Sequence, residues 1–452
     1  MVERKLFGTD GVRGVANEHP MTAEIALKLG RAIAHISRRG PHRHRIVIGK
    51  DTRVSGYMLE FAIASGVCSL GVDVTLFGPI PTPAVAFLTR TMRADAGIMI
   101  SASHNPFQDN GIKFFGADGF KLADEIEAEI ESLLDSGAIE SVRPTALDIG
   151  KTRKMEDARG RYVQMAKTTF PANLSLDGLR LVVDCANGAA YRVAPQIFEE
   201  LGAEVIAVGV HPDGKNINAS CGAVHPEHLR QMVLDHDAHA GIALDGDADR
   251  VIVVDEKGQV VDGDAVMAIC ARDLIRKDRL PNRTVVSTVM SNLGLETSLS
   301  EVGGKLIRTQ VGDRYVVETM RRHGYTFGGE QSGHLVFLDH TSTGDGCIAG
   351  LMLLEVMVRS QRPLSELVRC FERVPQKLVN IKVSKKPPLD SLEKSKRVIR
   401  DIEQKLGNQG RVLVRYSGTE NKARVMVEGP NLDQTTTFAN DIAEALQAEI
   451  GT

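Results

Sequence analysis

The chain has 452 residues, 42% hydrophobic and 25% charged, with 55 basic against 58 acidic side chains and a net charge of −3. That length predicts about three or four domains of roughly 100–150 residues each, because one core does not grow so large. The balanced charge excludes a general binder of nucleic acid or of membrane surfaces, and no apolar run approaches the ~20 residues of a membrane span.

In chain order, a Gly-rich opening, Phe7-Gly8-Thr9-Asp10-Gly11-Val12-Arg13-Gly14, offers Arg13 to an anion. A helical period covers 25–36, a strand 45–48, a helix 59–70 and a strand 72–76. The basic run between residues 38 and 45 reads as a solvated loop. Arg53 is a further anion candidate. The apolar run 96–100 reads as a buried strand that delivers Ser103 onto a polar, Pro-stopped loop with His104 and Asn105; Lys113 lies ten residues beyond the serine. A serine with acid and base groups this close can carry a covalent group; a Ser/Asn-rich cap is the alternative. An amphipathic helix over 123–134 and a poorly periodic linker over 141–152 close the first unit.

The second unit has strands over 179–184, 204–208 and 240–244, with helices over 194–201 and 226–235. The histidines between 211 and 239 lack carboxylate or thiol partners at ligand spacing and read as surface groups. The third unit has helices over 265–275, 314–322 and 347–358, with strands over 284–287 and 305–309. The last has strands over 378–383, 411–415 and 424–428, with helices over 392–406 and 436–448. The expected division is 1–152, 153–255, 256–373 and 374–452: three similar α/β domains and a C-terminal α+β domain. The six cysteines are scattered without a CxxC pair, and the first residues carry no signal-peptide h-region. Both suit a reduced, cytoplasmic protein.

Three further segments carry chemistry. Asp245-Gly246-Asp247-Ala248-Asp249-Arg250 follows an apolar strand. Carboxylates at alternate positions of a tight loop repel unless a hard cation such as Mg²⁺ neutralises them. An EF-hand fits poorly, since Arg250 falls where that loop needs glycine, and an Asp-rich turn is the alternative to a metal loop. Gly328-Gly329-Glu330-Gln331-Ser332-Gly333-His334 assembles groups suited to sugar hydroxyls or an amine, or makes a polar hairpin turn. Arg415-Tyr416-Ser417-Gly418-Thr419-Glu420 ends a strand and can form an anion nest, with Arg424 as a second charge.

In this order the segments at 7–11, 101–105, 110–115, 245–250, 290–294, 311–316, 329–334 and 415–420 resemble the α-D-phosphohexomutase superfamily nearly end to end, and within it the branch acting on glucosamine phosphates. The resemblance implies four domains around a central cleft. It implies that Ser103 is the phosphorylated serine, that Asp245, Asp247 and Asp249 hold one Mg²⁺ with the phosphoserine oxygen, and that Arg13, His104 and Lys113 serve catalysis. Lys113 is the expected general acid/base. Arg250, Glu330, Ser332 and His334 would bind the sugar, and Arg415, Ser417, Gly418, Thr419 and Arg424 its non-reacting phosphate. The implied reaction interconverts glucosamine 6-phosphate and glucosamine 1-phosphate through a 1,6-bisphosphate and feeds UDP-N-acetylglucosamine and cell-wall precursors.

Gln331 and the 311–316 segment favour that branch over a phosphoglucomutase or phosphomannomutase. A phosphatase with Asp245 as nucleophile and a non-catalytic sugar-phosphate sensor are the readings from other classes. How Ser103 is first phosphorylated, by a hexose 1,6-bisphosphate or by self-reaction, is open, as is oligomeric state, a homodimer being one option. Three residues depart from the family pattern: Ala248 where Gly is usual, Tyr416, and Asn421 where Pro is common.

Overall fold

The computed structural model describes residues 6–8, 10–417 and 421–451. Its strands form four sheets, of seven, five, four and three strands. In the first, Arg45–Lys50 lies between Ala96–Ile100 and Asp73–Pro79, parallel to both. These runs are continuous apolar stretches because both faces of a parallel strand are covered; Ile46, Val47, Ile48 and Ile98 are fully buried. Asp109–Gly116 returns antiparallel beside Ala96–Ile100, and Gly11–Val15 pairs with it, joining the Gly-rich opening to the Ser103 loop. The strand Thr152–Lys154 adds to the far edge, straddling the boundary expected after 152.

The second sheet is built around parallel Arg180–Asp184 and Ala240–Leu244, with Val251–Asp255 antiparallel at the side of the latter. In the third, Thr284–Thr288 is central, and Phe327–Gly329 pairs with Leu335–Phe337 as a hairpin. The fourth is antiparallel, Gln376–Lys382 and Arg411–Tyr416 flanking Lys422–Glu428. Helices Glu393–Leu406 and Leu432–Ile450 supply its core through Ile402, Leu406, Phe438 and Ile442.

The cores are unequally shared. One continuous apolar cluster runs from Val47 and Phe77 of the first unit through Tyr162, Leu181 and Ile242 to Val285 and Phe327 of the third. The C-terminal unit keeps its own cluster. It meets the third unit through polar contacts: Asn292 Nδ2 donates to the Val374 carbonyl at 2.9 Å, and Arg411 donates to the Val289 carbonyl at 3.0 Å.

Candidate active site

Two loops meet at the C-terminal ends of parallel strands. Ala96–Ile100 leads into Ser101 and Ser103; Ala240–Leu244 leads into Asp245. Ser103 is 1% exposed and has a left-handed backbone, φ +53°. Its hydroxyl donates to Asp245 Oδ2 at 2.5 Å and lies 3.3 Å from His104 Nδ1. The loops approach so closely that a Cβ at Gly246 would lie 2.6 Å from the Ser103 carbonyl oxygen. Ala248 has φ +58°, so its methyl is strained in the conformation that favours glycine.

Arg53 is not an anion site. Its fully buried guanidinium donates to Asp51 at 2.8 Å and to the carbonyls of Asp109, Ser103 and Asn105 at 3.0, 3.0 and 2.8 Å. Its donors are spent gathering the Ser103 loop, and Ser101 adds a bond to Asp51 at 2.6 Å. Asn218 also donates to the Ser103 carbonyl, at 2.9 Å.

Carboxylate oxygens of Asp245, Asp247 and Asp249 lie within 4.8 Å of one another. One oxygen each of Asp247 and Asp249 is buried without a hydrogen-bond partner. Orphaned carboxylate oxygens converging in an all-oxygen set fit a hard divalent cation. Asp247 is steadied from the first unit by the Thr82 hydroxyl at 2.6 Å.

The Lys113 ammonium is 1% exposed and lies 2.8 Å from Asp247 and 3.2 Å from both Asp249 and Asp10. Burial opposes its charge, yet these carboxylates hold its pKa well above the ordinary value. Asp10 also meets Lys121, Lys121 meets Asp313 at 2.5 Å, and His334 stands between Asp313 at 3.4 Å and Asp249 at 3.6 Å. Lys113, Asp10, Lys121, Asp313, His334 and Asp249 thus close a ring of alternating charge. Burial again opposes it, but Lys113 and His334 keep Asp249 well below the carboxylate range, and Asp249 raises His334. Asp245 goes the other way, lifted by burial and by Asp249 and Asp247. His104 is pushed down to about 4 by burial, Arg250 and Arg13, and is neutral at physiological pH.

A cavity of about 570 Å³ opens over this centre, lined by Gly8, Asp10, Arg13, His104, Asp249, Arg250, Gly312, Glu330 and His334 among others. Arg13 is anchored to Asp10. Glu330 accepts from the Gly312 N–H at 3.3 Å, and the Ser332 hydroxyl, which is exposed, lies 3.5 Å from Glu330. The hairpin and sugar-binding readings of this loop are therefore compatible: the turn presents Glu330 to the cavity. Arg415, Ser417 and Arg424 stand on the C-terminal unit and do not line the cavity. Arg415 and Arg424 face one another across the sheet, and burial followed by Arg424 lowers the Arg415 pKa. Opposed like charges weaken a sheet and suit an anion between them. Gly418 and Thr419 lie outside the described residues.

Sequence reasoning gave no role to Asp10, Lys121, Asp313, Thr82 or Asn218. Asp10 and Asp313 sit inside segments already singled out; the others carry no local signal.

Profiles described as phosphoglucomutase/phosphomannomutase domains I, II, III and C-terminal match residues 4–140, 160–258, 262–374 and 378–445. A phosphoglucosamine mutase of Anaeromyxobacter dehalogenans is 64% identical, with 99% of this chain and 100% of that protein covered. One of Myxococcus xanthus is 62% identical over 98% and 97%. A solved phosphoglucomutase/phosphomannomutase family protein from Burkholderia thailandensis superposes with a TM-score of 0.82 at 25% identity, covering 99% of this chain and 98% of that one.

Proposed function

The chain belongs to the phosphoglucomutase/phosphomannomutase family of isomerases, and from that premise we propose that it interconverts glucosamine 6-phosphate and glucosamine 1-phosphate. The observation that carries the mechanism is the buried Ser103 hydroxyl, 2.5 Å from Asp245 and 3.3 Å from His104 of the cavity wall. In this reading Ser103 is phosphorylated in the resting enzyme. The P–O bond to its oxygen breaks as the free hydroxyl of the bound sugar phosphate forms a new one, giving a 1,6-bisphosphate. The bisphosphate turns over in the cleft and returns its other phosphoryl to Ser103.

Asp245, Asp247 and Asp249 would hold Mg²⁺ with the phosphoserine, whose charge of about −1.5 to −2 they could not tolerate alone. The ion would supply charge neutralisation to the transferring phosphoryl. Lys113, held as an ammonium, adds positive charge in a dry site where it needs no reorganisation. The proton leaving the attacking hydroxyl ends on the released Ser103 oxygen. Lys113 and His104, the latter 3.3 Å from Ser103 Oγ, are the groups placed to relay it.

Glu330 and Arg250 on the cavity wall would read the sugar, Ser332 and His334 supporting them. The C-terminal unit would swing its Arg415, Ser417 and Arg424 over the opening to hold the distal phosphate. One phosphate site must then serve both ends of the sugar, which requires the bisphosphate to reorient. Among the described residues no helix is long and apolar enough to cross a membrane. In the cytoplasm, the product would feed UDP-N-acetylglucosamine and cell-wall precursor synthesis.

The experiment is turnover of glucosamine 6-phosphate with Mg²⁺ and a trace of hexose 1,6-bisphosphate, beside glucose and mannose phosphates. Much higher kcat/KM for the amino sugar is expected. A preference for glucose or mannose phosphate overturns the substrate assignment and leaves the phosphoryl-transfer chemistry standing.

A further inference from the structure

The loop entering strand Arg45–Lys50 carries two histidines that phosphoryl transfer does not use. His42 Nε2 lies 2.9 Å and His44 Nδ1 3.0 Å from one and the same oxygen, Asp95 Oδ1. The other Asp95 oxygen accepts the Arg45 N–H at 2.7 Å, which fixes the carboxylate. One ligand atom from each of the three side chains lies within 4.8 Å of the others, and the imidazole centroids are 4.2 Å apart. The His44 and Asp95 side chains are 8% and 13% exposed, and His42 is 59% exposed, so the cluster opens to solvent through His42. Arg43 does not fill it, being committed to Asp73 at 2.7 and 2.8 Å.

The remaining His44 nitrogen, Nε2, faces the Gly40 carbonyl at 3.3 Å. With the ring proton on Nε2, this nitrogen donates to that carbonyl and Nδ1 turns its lone pair toward Asp95 Oδ1, 3.0 Å away, as a metal ligand does. An N–H to a backbone carbonyl on the far side of the ring is how metal-bound histidines are oriented. Two imidazoles, one carboxylate and a solvent-open position match the donor set of a four-coordinate zinc ion completed by water, and not that of magnesium.

We propose that His42, His44 and Asp95 form a zinc site separate from the Asp245 loop. It lies at the N-terminal ends of the neighbouring parallel strands Arg45–Lys50 and Ala96–Ile100, whose other ends lead to Asp51 and Ser103. About 17 Å of strand separates the two centres. The ion therefore ties the central strands together at their start and takes no part in the reaction.

The test is titration of the whole protein, stripped with a chelator and then saturated with Mg²⁺, with zinc sulfate in a calorimeter. The expected result is zinc binding in the wild type, with one equivalent lost in His42→Ala and in His44→Gln. The loss should exceed the roughly 10–100-fold weakening that removal of an outer-shell partner produces. Zinc should raise Tm in the wild type and not in either variant, while His42→Ala keeps its Mg²⁺-supported turnover. Because His42 is largely exposed, that variant keeps its fold. Absence of zinc uptake at micromolar concentrations, or uptake unchanged by both substitutions, overturns the site and leaves the two imidazoles as hydrogen-bond donors to Asp95.

Discussion

At the scale of single residues, charge and backbone conformation select Ser103 and Ala248 for test. Ser103 is poised by the Asp245 hydrogen bond, and its oxygen is the one that would carry the phosphoryl group. Ser103→Ala should lower turnover by at least ~10³-fold, as loss of a covalent nucleophile does. A phosphopeptide spanning Ser103 should be found in the wild type and vanish in the variant. Turnover near the wild-type rate would put the phosphoryl elsewhere, Asp245 first. Ala248 poses a subtler question, because its φ of +58° costs stability while its methyl is completely buried. Ala248→Gly relieves strain of about 1 kcal/mol and removes a methyl worth about 0.8 kcal/mol. The two nearly cancel, so urea unfolding should shift by less than about 1 kcal/mol. The convergence of this loop's carboxylates was legible because three of them stand at alternate positions of one tight turn. Thr82 and Asn218 were not, since each reaches the site from a distant segment and neither residue type is unusual where it stands.

Elements show the same division between local and distant causes. Helices 393–406 and 432–450 and the buried parallel strands declare themselves by periodicity, which is a local property. The helix Thr82–Thr91 carries a proline in its first turn, and the hairpin strands Phe327–Gly329 and Leu335–Phe337 are only three residues long. Such short strands exist because of their pairing partners, so no window of sequence reports them. Arg53 is the clearest case of a charge whose meaning came from its surroundings. Read alone it suited an anion; folded, it collects the carbonyls of the Ser103 loop. Arg53→Met should destabilise the protein by about 3–5 kcal/mol, because Asp51 is left buried without its partner. Arg53→Lys should recover little, having no planar fork. Denaturant unfolding of the two variants checks both statements. Asp264, in the first turn of helix Gly263–Arg276, is pushed up to about 7 by burial and by Asp262. The folded state therefore keeps a proton that the unfolded chain has released, and stability falls as pH rises from about 4 to about 7, then levels off. Asp264→Asn should abolish about one proton's worth of that slope, a contribution of roughly 4 kcal/mol at most. Parallel slopes for variant and wild type across that window would show that Asp264 is ionised in the fold.

The whole molecule is a rigid block of three units with a fourth attached through polar contacts. The shared core makes the block rigid, and the seam between its first and third units is closed by charge. Arg314, on helix Asp313–His323, grips Glu127 with two bonds of 2.6 and 3.0 Å and also pairs with Asp124, both on helix Asp124–Ser136. Its neighbour Asp313 takes Lys121 from the first unit and touches His334. Thus the residues that would read the sugar and those that would move the phosphoryl are set relative to one another by this seam. Arg314→Met keeps the length of the side chain and removes the fork, leaving Glu127 buried against an apolar group. A small opening there displaces Glu330 from Ser103 without touching either centre. Misplacement of about 1 Å costs a reaction near 10²-fold, so kcat should fall by about that factor while KM changes less. Arg411→Ala acts at the other junction, where Arg411 bonds the Val289 and Ser291 carbonyls and Glu428. It should loosen the fourth unit and raise KM for the sugar phosphate, with a smaller effect on kcat. If the two variants share one kinetic signature, the division into a rigid block and an attached gripping unit is wrong; opposite signatures make the charge ring and its Arg314 clamp the frame on which the chemistry is held.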